Sequence, residues 1–310
     1  MSTAAAAVDI QLKSVLIATD FSEASRKPLY HALALARHYG SKFHLAHVVS
    51  ALGFRLAGPD AIAAATDAVW RDALHLENDL VQNGALSGLR HDVIIRQGNV
   101  WEELEKVIQQ EQVDLTVVGT HGRRGLGKLV LGSVAEQIFR HADCLVLTVG
   151  PGSCQESPVE GSRAVRPFLF ATDFGKASLH ALPYAISFAN HFGAKLVLLH
   201  VVPMVALPAG PQWCTAGDVM QMRENARMAG LRRLEELVPL DATLTVRPEF
   251  VVEFGPPSEK ILQAADALKA DTIIMGLRRS SHIDAACHMP WATAYEVVCG
   301  AGCSVLTVRD

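Results

Sequence analysis

The sequence contains one long segment twice. Residues 15–49 read VLIATDFSEASRKPLYHALALARHYGSKFHLAHVV, and residues 168–202 read FLFATDFGKASLHALPYAISFANHFGAKLVLLHVV. At an offset of 153 and without a gap, 17 of these 35 positions are identical. A repeat of about 155 residues is far longer than the roughly 20–50-residue periods of solenoids and propellers. The repeat therefore predicts two copies of one domain.

The ends of the two copies place the domain boundaries. The last apolar segment of the first copy, CLVLTV at 144–149, matches CSVLTV at 303–308 in the second. Between the copies lies a stretch rich in Gly, Ser and Pro, a composition typical of a linker. We predict a first domain over 1–150, a linker over 151–166 and a second domain over 167–310.

Each copy alternates short apolar runs with segments of helical periodicity. In the first copy, five runs rich in branched apolar residues are separated by four amphipathic segments. We expect Ser22 to begin the first helix and Gly40 to end it. Because buried strands that alternate with helices form parallel sheets, the sequence predicts an α/β protein with two tandem Rossmann-like domains. Each is a five-stranded parallel sheet flanked by helices.

Composition excludes several classes of partner. The formal net charge is −4, and acidic and basic residues are mixed without the basic stripe that nucleic-acid binding requires. No apolar stretch approaches the roughly 18 residues needed to cross a bilayer, and the N-terminus lacks the basic region of a signal peptide. Six cysteines without a CxxC pair indicate reduced thiols. We predict a cytoplasmic protein without nucleic-acid or membrane partners.

The cysteines near the end of the chain leave one alternative open. Cys299 and Cys303 could bind a metal together with His282 or His288. Their apolar neighbours and the irregular spacing favour structural thiols instead.

A glycine-rich loop carries the strongest functional signal. The segment GTHGRRGLGKLVLGS at 119–133 follows an apolar run and precedes a helical segment. Its central part, GRRGLGKL, is similar to a P-loop, but Leu129 stands where serine or threonine would hold Mg²⁺. Only one helix and one strand remain after it in the copy, so we reject the P-loop interpretation.

The end of the same loop suits phosphate in another way. Ser133 and Glu136 form an S-x-x-E capping box, which predicts that a helix begins there. Helix N-termini carry free N–H groups and partial positive charge, and both favour phosphate. Arg123, together with Arg124 and Lys128, adds positive charge along the rim.

The predicted topology brings this loop to a crevice. In open parallel sheets, ligands bind beyond the carboxyl ends of the strands, where the strand order reverses. Asp20 closes the first strand and the glycine-rich loop follows the fourth. If those strands are neighbours, both features face one crevice.

The spacing of the loop glycines resembles a family signature. Residues 119–133 contain the pattern G-2x-G-9x-G-S, which is similar to the G-2x-G-9x-G-(S/T) signature of the ATP-binding branch of the universal stress protein family. IATDFS at 17–22 and HVV at 47–49 also resemble the first-strand and second-strand signatures of that family. The resemblance covers both copies. It implies an adenine-nucleotide alpha-hydrolase-like variant of the Rossmann-like domain.

The resemblance also implies a role for each matching residue. Asp20 contacts the nucleoside of ATP, the backbone of Val48 holds adenine, and Gly119 lies near the ribose. The phosphates are held by the loop and by the start of the next helix, at Gly122, Gly132, Ser133 and the amide of Val134. ATP binds with or without Mg²⁺. Two structural alternatives stay open: Asp20 caps the following turn, and Ser133 caps its helix without a ligand.

The second copy keeps only part of this pattern. It retains the nucleoside-side residues Asp173, Val201 and Gly276. Arg279 stands at the second-glycine position, and Trp291 and Ala292 stand at the third glycine and the serine. Thr293 and Glu296 preserve a T-x-x-E cap, which predicts that the helix is kept. We expect a degenerate nucleotide site in the second domain.

No set of residues in the sequence indicates an enzyme. We find no nucleophile with a base at catalytic spacing, no paired carboxylates and no metal cluster. The resemblance implies a nucleotide-responsive stress or signalling protein that binds ATP or another adenine nucleotide. A structural or interaction module with a vestigial pocket and a weak ATPase are the alternatives.

The fifth strand of each copy is predicted to lie at a sheet edge. An exposed edge strand tends to pair with another strand. The resemblance implies pairing through this strand. We therefore predict that CLVLTV and CSVLTV pair the two domains within one chain, or pair two chains in a homodimer.

Overall fold

The structure is a computed structural model. The chain forms two compact units. One unit comprises Gln11–Arg163, and the other comprises Ala164–Asp310 with Met1–Ile10. We call them the first and second domains and describe each by itself. The structure describes residues 10–50, 58–120, 131–153, 166–203, 216–238, 244–278 and 292–310.

The first domain alternates strands and helices along its described residues. Its strands are β1 (Ser14–Ala18), β2 (Lys42–Ser50), β3 (His91–Gly98), β4 (Leu115–Gly119) and β5 (Leu145–Val149). Its helices are α1 (Arg26–Tyr39), α2 (Gly58–Gln82), α3 (Val100–Gln110) and α4 (Ser133–His141). The strands pair in parallel in the order β3-β2-β1-β4-β5.

The second domain repeats this arrangement. Its strands are β6 (Phe168–Thr172), β7 (Leu196–Val202), β8 (Glu249–Phe254), β9 (Thr272–Leu277) and β10 (Ser304–Arg309). Its helices are α5 (Lys176–His191), α6 (Ala216–Leu237), α7 (Pro257–Leu268) and α8 (Ala292–Gly300). The strands pair in parallel in the order β8-β7-β6-β9-β10. The predicted pair of five-stranded parallel α/β domains is confirmed.

Burial explains why these segments form central strands. Val15, Leu16 and Ile17 of β1 have no exposed surface, and β6 is buried along its whole length. A strand covered on both faces reads as a continuous apolar run, which is typical of parallel sheets. Among the described helices, none combines the length and apolarity that a bilayer crossing requires.

The ends of the first helix test the capping predictions. Gly40 ends α1 in the left-handed region at φ 65°, as predicted. The predicted start at Ser22 is wrong, because Glu23–Ser25 form a 3-10 turn and α1 begins only at Arg26. Ser22 makes no capping hydrogen bond through its side chain. The Asp20 carboxylate holds this turn instead, through hydrogen bonds from Ser22 and Ser25.

The strand order creates the predicted crevice. β1 pairs with β2 on one side and with β4 on the other, so the chain leaves β1 and β4 in opposite directions. The carboxyl ends of β1 and β4 are therefore the switch point where ligands bind in open parallel sheets.

Candidate functional site

The residues after β1 form a turn held by two side chains. The hydroxyl oxygen of Thr19 accepts the N–H of Phe21 at 3.0 Å, and Phe21 lies in the left-handed region at φ 58°. Oδ1 of Asp20 accepts the N–H of Ser22 at 3.0 Å and the hydroxyl of Ser25 at 2.6 Å. The turn thereby fixes the Asp20 carboxylate at the end of β1.

The second domain builds the same turn from the same residue types. The hydroxyl of Thr172 accepts the N–H of Phe174 at 2.9 Å, and Phe174 has φ 60°. Oδ1 of Asp173 accepts the N–H of Gly175 at 2.8 Å and the hydroxyl of Ser178 at 2.7 Å. The alternative in which the aspartate caps the following turn is therefore realised in both domains, and the nucleoside contact of Asp20 stays a prediction.

A histidine on the neighbouring strand supports each turn. Nδ1 of His47 lies 2.7 Å from the carbonyl oxygen of Thr19, and Nδ1 of His200 lies 2.9 Å from that of Thr172. A carbonyl only accepts, so each Nδ1 donates. The His47 ring also lies 5.2 Å from the Phe21 ring. Both histidines therefore have a structural role in supporting the turn.

Three predicted site residues lie at the carboxyl ends of adjacent strands. Asp20 follows β1, Gly119 ends β4, and Val48 lies near the end of β2 with 8% of its surface exposed. The Thr19 N–H continues the ladder by donating to the carbonyl of Ala46 in β2 at 3.0 Å. The structure thus brings the nucleoside-side residues to one edge of the sheet.

The glycine-rich loop is closed at its base. The Gly132 N–H donates to the carbonyl of Thr120 at 3.0 Å, which ties the start of α4 to the end of β4. Gly122 and Arg123 lie outside the described residues, as do the other basic residues of the loop. Their predicted phosphate contacts stay predictions.

The start of α4 differs in one respect from its prediction. The helix begins at Ser133, but Gly132 is its N-cap residue and no side chain caps it, so the predicted capping box is wrong. Glu136 instead forms an ion pair with Arg140, one turn later, at 2.6 Å. The first amides of a helix have no intrahelical acceptor, and the amide of Val134 is the one that we predict to bind phosphate beside Ser133.

An arginine faces the equivalent carboxylate in the second domain. Nη2 of Arg278 lies 3.3 Å from Oδ2 of Asp173. Burial raises the pKa of Asp173, but the hydrogen bonds from Ser178 and Gly175 and the charge of Arg278 outweigh it and hold the pKa below its ordinary value. A second guanidinium, that of Arg233, lies 4.0 Å from the centre of the Phe174 ring.

The retained glycine of the second domain has a packing role. A Cβ at Gly276 would lie 2.1 Å from the carbonyl oxygen of Ala177 and 2.5 Å from the amide nitrogen of Ser178. Only glycine lets the start of α5 approach β9 this closely. The glycine at this position therefore gives no evidence for a ligand. Arg279 and Trp291 lie outside the described residues, and Ala292 is the first residue of α8.

Sequence reasoning missed a second polar cluster in the first domain. Lys42 and His44 on β2 lie near Asp92 on β3 and Glu111 after α3. These residues span about seventy positions without a motif, so their spacing gave no signal. The available signal was His44 itself, because the apolar strand of the second copy has Val197 at that position.

Comparisons with known proteins agree with the repeat. The model of the universal stress protein family matches residues 11–150 and again residues 164–309. Universal stress protein MJ0531 of Methanocaldococcus jannaschii is 27% identical over 141 residues, which are 44% of this chain and 81% of that protein. A universal stress protein of Thermus aquaticus is 29% identical over 138 residues, 44% of this chain and 98% of that protein.

A solved structure matches the whole chain. The crystal structure of a universal stress protein from Archaeoglobus fulgidus DSM 4304 has a TM-score of 0.64 and 20% identity. The match covers 97% of this chain and 99% of that one. At this identity the likeness supports the tandem α/β fold.

Proposed function

Because the chain belongs to the universal stress protein family, we propose that its first domain binds ATP or another adenine nucleotide at the carboxyl ends of β1, β2 and β4. The protein then acts in the cytoplasm as a nucleotide-responsive stress or signalling protein rather than as an enzyme. Asp20 contacts the nucleoside and the Val48 backbone contacts adenine.

The observation that supports this site best is the closed base of the glycine-rich loop. The hydrogen bond from Gly132 to Thr120 sets the N-terminus of α4 beside the end of β4. The amides of Ser133 and Val134 then face the crevice region with the partial positive charge of the helix N-terminus, which suits phosphate. Gly122 and Arg123 complete the phosphate contacts from within the loop.

We propose that the second domain binds no nucleotide in this way. Its carboxylate, Asp173, already has Arg278 as an ionic partner at 3.3 Å. A nucleoside hydroxyl would have to share this carboxylate with the arginine. The expected stoichiometry is therefore one nucleotide per chain.

The first test identifies the ligand directly. Purified protein is denatured, and the released small molecules are separated by chromatography and quantified against the protein. We expect an adenine nucleotide at no more than one per chain, or uptake of one ATP per chain by stripped protein. Two nucleotides per chain would contradict the inactive second site.

The second test places the site by thermal shift with ATP, with and without Mg²⁺. Gly132→Trp introduces the side chain that the second copy carries at this position and is expected to abolish the stabilisation by ATP. Gly302→Trp is the matched control, since a Cβ at Gly302 meets nothing within 4 Å. If ATP stabilises Gly132→Trp as much as wild type, the phosphate site is assigned wrongly.

The alternatives give different results in the same preparations. Phosphate release that Gly132→Trp abolishes would indicate a weak ATPase, whereas no stabilisation by any adenine nucleotide would indicate an interaction module. Pairing of the domains, or of two chains, through the fifth strands stays a prediction. The mass of the protein in solution tests the homodimer.

A further inference from the structure

The first domain has a buried histidine at the sheet edge opposite the proposed nucleotide site. His44 lies near the start of β2, and its side chain has no exposed surface. Around it lie Lys42, Asp92 and Glu111, and we call these four residues the amino-edge cluster. The cluster joins β2, β3 and the end of α3 near the amino ends of the strands.

One nitrogen of the buried ring has a hydrogen-bond partner and the other does not. Nδ1 of His44 lies 2.6 Å from Oδ1 of Asp92. Nε2 is buried and has no hydrogen-bond partner among the described residues. Oε2 of Glu111 lies 3.9 Å from Nε2, which is too far for a hydrogen bond. A buried nitrogen without a partner is unfavourable, so this atom indicates a ligand.

The charges of the cluster leave room for one more cation. Nζ of Lys42 lies 2.9 Å from Oδ2 of Asp92 and 2.9 Å from Oε2 of Glu111. The Lys42 ammonium therefore contacts both carboxylates. Two carboxylates and one ammonium leave one negative charge when His44 is neutral.

We propose that Nε2 of His44 and the Glu111 carboxylate bind a divalent transition-metal ion of the Zn²⁺ class. In a tetrahedral site, two ligand atoms that each lie about 2.1 Å from one ion are separated by roughly 3.4 Å. The observed 3.9 Å therefore has to shorten by about 0.5 Å when the ion binds. Imidazole and carboxylate are ligands that Zn²⁺ and its neighbours in the first transition row accept.

Asp92 and Lys42 set how strongly the ion binds. A metal-binding histidine usually donates its other ring N–H to a carboxylate, and Asp92 accepts from Nδ1 in this way. Lys42 shares Oε2 of Glu111, so its ammonium competes with the ion. The Lys42 side chain is 39% exposed and can turn into solvent. Water then completes the coordination of the metal.

The duplicated domain supplies an internal comparison. Lys195 forms an ion pair with Glu249 at 2.6 Å, in the register position that Asp92 holds in the first domain. Val197, which has no exposed surface, stands at the position of His44, and Leu268 stands at that of Glu111. The lysine–carboxylate pair is therefore common to both domains, whereas the histidine and the second carboxylate are present only in the first.

The test titrates the full, chelator-treated chain with Co²⁺, followed by its ligand-field absorption, and then with Zn²⁺ as competitor. We expect His44→Val and Glu111→Leu, which copy the second domain, to weaken binding at least about tenfold. His91→Val is the matched control, because it removes a partly exposed histidine next to Asp92 on the same strand. It should leave the affinity unchanged.

Two further variants separate a metal site from a purely structural cluster. Asp92→Asn should weaken binding about 10- to 100-fold, as expected for loss of an orienting carboxylate. Lys42→Met should tighten binding, because it removes the competing ammonium. The proposal is overturned if wild type binds no Co²⁺, if His44→Val binds it as tightly as wild type, or if Lys42→Met binds it more weakly. Glu111→Leu decides the matter if His44→Val fails to fold.

Discussion

Arg278 holds its Nη2 atom 3.3 Å from Oδ2 of Asp173, at the end of the first strand of the second domain. The first domain has Asp20 at this place and His121 at the position of the arginine. Both aspartates make the same turn through Oδ1. The two domains therefore share the turn. They differ in sequence at the position whose side chain contacts the carboxylate in the second domain, which is arginine there and histidine in the first.

Arg278→Gln is predicted to raise the pKa of Asp173. Burial raises this pKa, but hydrogen bonds and the Arg278 charge hold it below the ordinary 3.8. A depressed folded pKa adds stability that is complete above the unfolded pKa and is lost as the pH falls through the folded pKa. Both side chains are more than half exposed, so the variant should lose less than about 1 kcal/mol of unfolding free energy near neutral pH.

A carboxyl-detected NMR titration measures this pKa directly. Ser178→Ala is the comparison, because its hydroxyl donates to Asp173 at 2.7 Å and has a larger effect on the pKa than Arg278. We expect a larger rise in Ser178→Ala than in Arg278→Gln. An unchanged pKa in Arg278→Gln would show that the ion pair does not form in solution.

Gly276→Ala is predicted to destabilise the second domain severely. The new Cβ would lie 2.1 Å from the Ala177 carbonyl oxygen, and backbone atoms cannot move aside as a flexible side chain can. We expect a loss of about 3 kcal/mol or more, measured by urea unfolding of the full chain. Gly302→Ala is the control, because its Cβ meets nothing within 4 Å. Equal midpoints for the two variants would refute the packing role of Gly276.

Thr19→Val is predicted to weaken the turn after β1. The change keeps the shape of the side chain but removes the acceptor of the Phe21 N–H, and Thr19 is only 9% exposed. The Phe21 N–H is part-buried, so loss of its acceptor is expected to lower the unfolding free energy by about 0.5–1.5 kcal/mol. Thr19→Ser keeps the acceptor and should lose less. Equal losses in chemical denaturation would mean that the hydroxyl contributes nothing to the turn.

The fold could be predicted because its signals are local and occur twice. Apolar runs such as that of β1, and the glycine that ends α1, determine their elements from neighbouring residues. α4 begins at Ser133, as predicted, whereas α1 begins four residues after the predicted Ser22. At α1, a 3-10 turn over Glu23–Ser25 comes first, and the Ser22 side chain makes no capping hydrogen bond.

The candidate site could be predicted only for residues that lie at the ends of strands or directly after them. Asp20, Val48 and Gly119 lie at one edge because parallel strands end together. The cluster around His44 could not be predicted, because its partner Glu111 is brought near by the packing of α3 on the sheet. The packing role of Gly276 could not be predicted either, because the sequence does not show which helix approaches this glycine.

Cys303 is predicted to react slowly with thiol reagents in the folded protein. Burial raises its pKa to about 12, and the charge of Asp271 adds to the effect. The thiolate is the reactive form, so alkylation by iodoacetamide at pH 8 should be roughly 100- to 1,000-fold slower in native than in unfolded protein. Peptide mapping by mass spectrometry resolves Cys303 from the other cysteines.

The same pKa shift predicts how the stability of the second domain depends on alkaline pH. A folded pKa raised above the unfolded value gives stability that is complete below the unfolded pKa, near 9.0, and is lost as the pH rises through about 12. Cys303→Ser removes the titrating thiol, so its unfolding free energy should fall less steeply between these values than that of wild type. Equal slopes, or equal alkylation rates in native and urea-unfolded protein, would contradict the raised pKa of the Cys303 thiol.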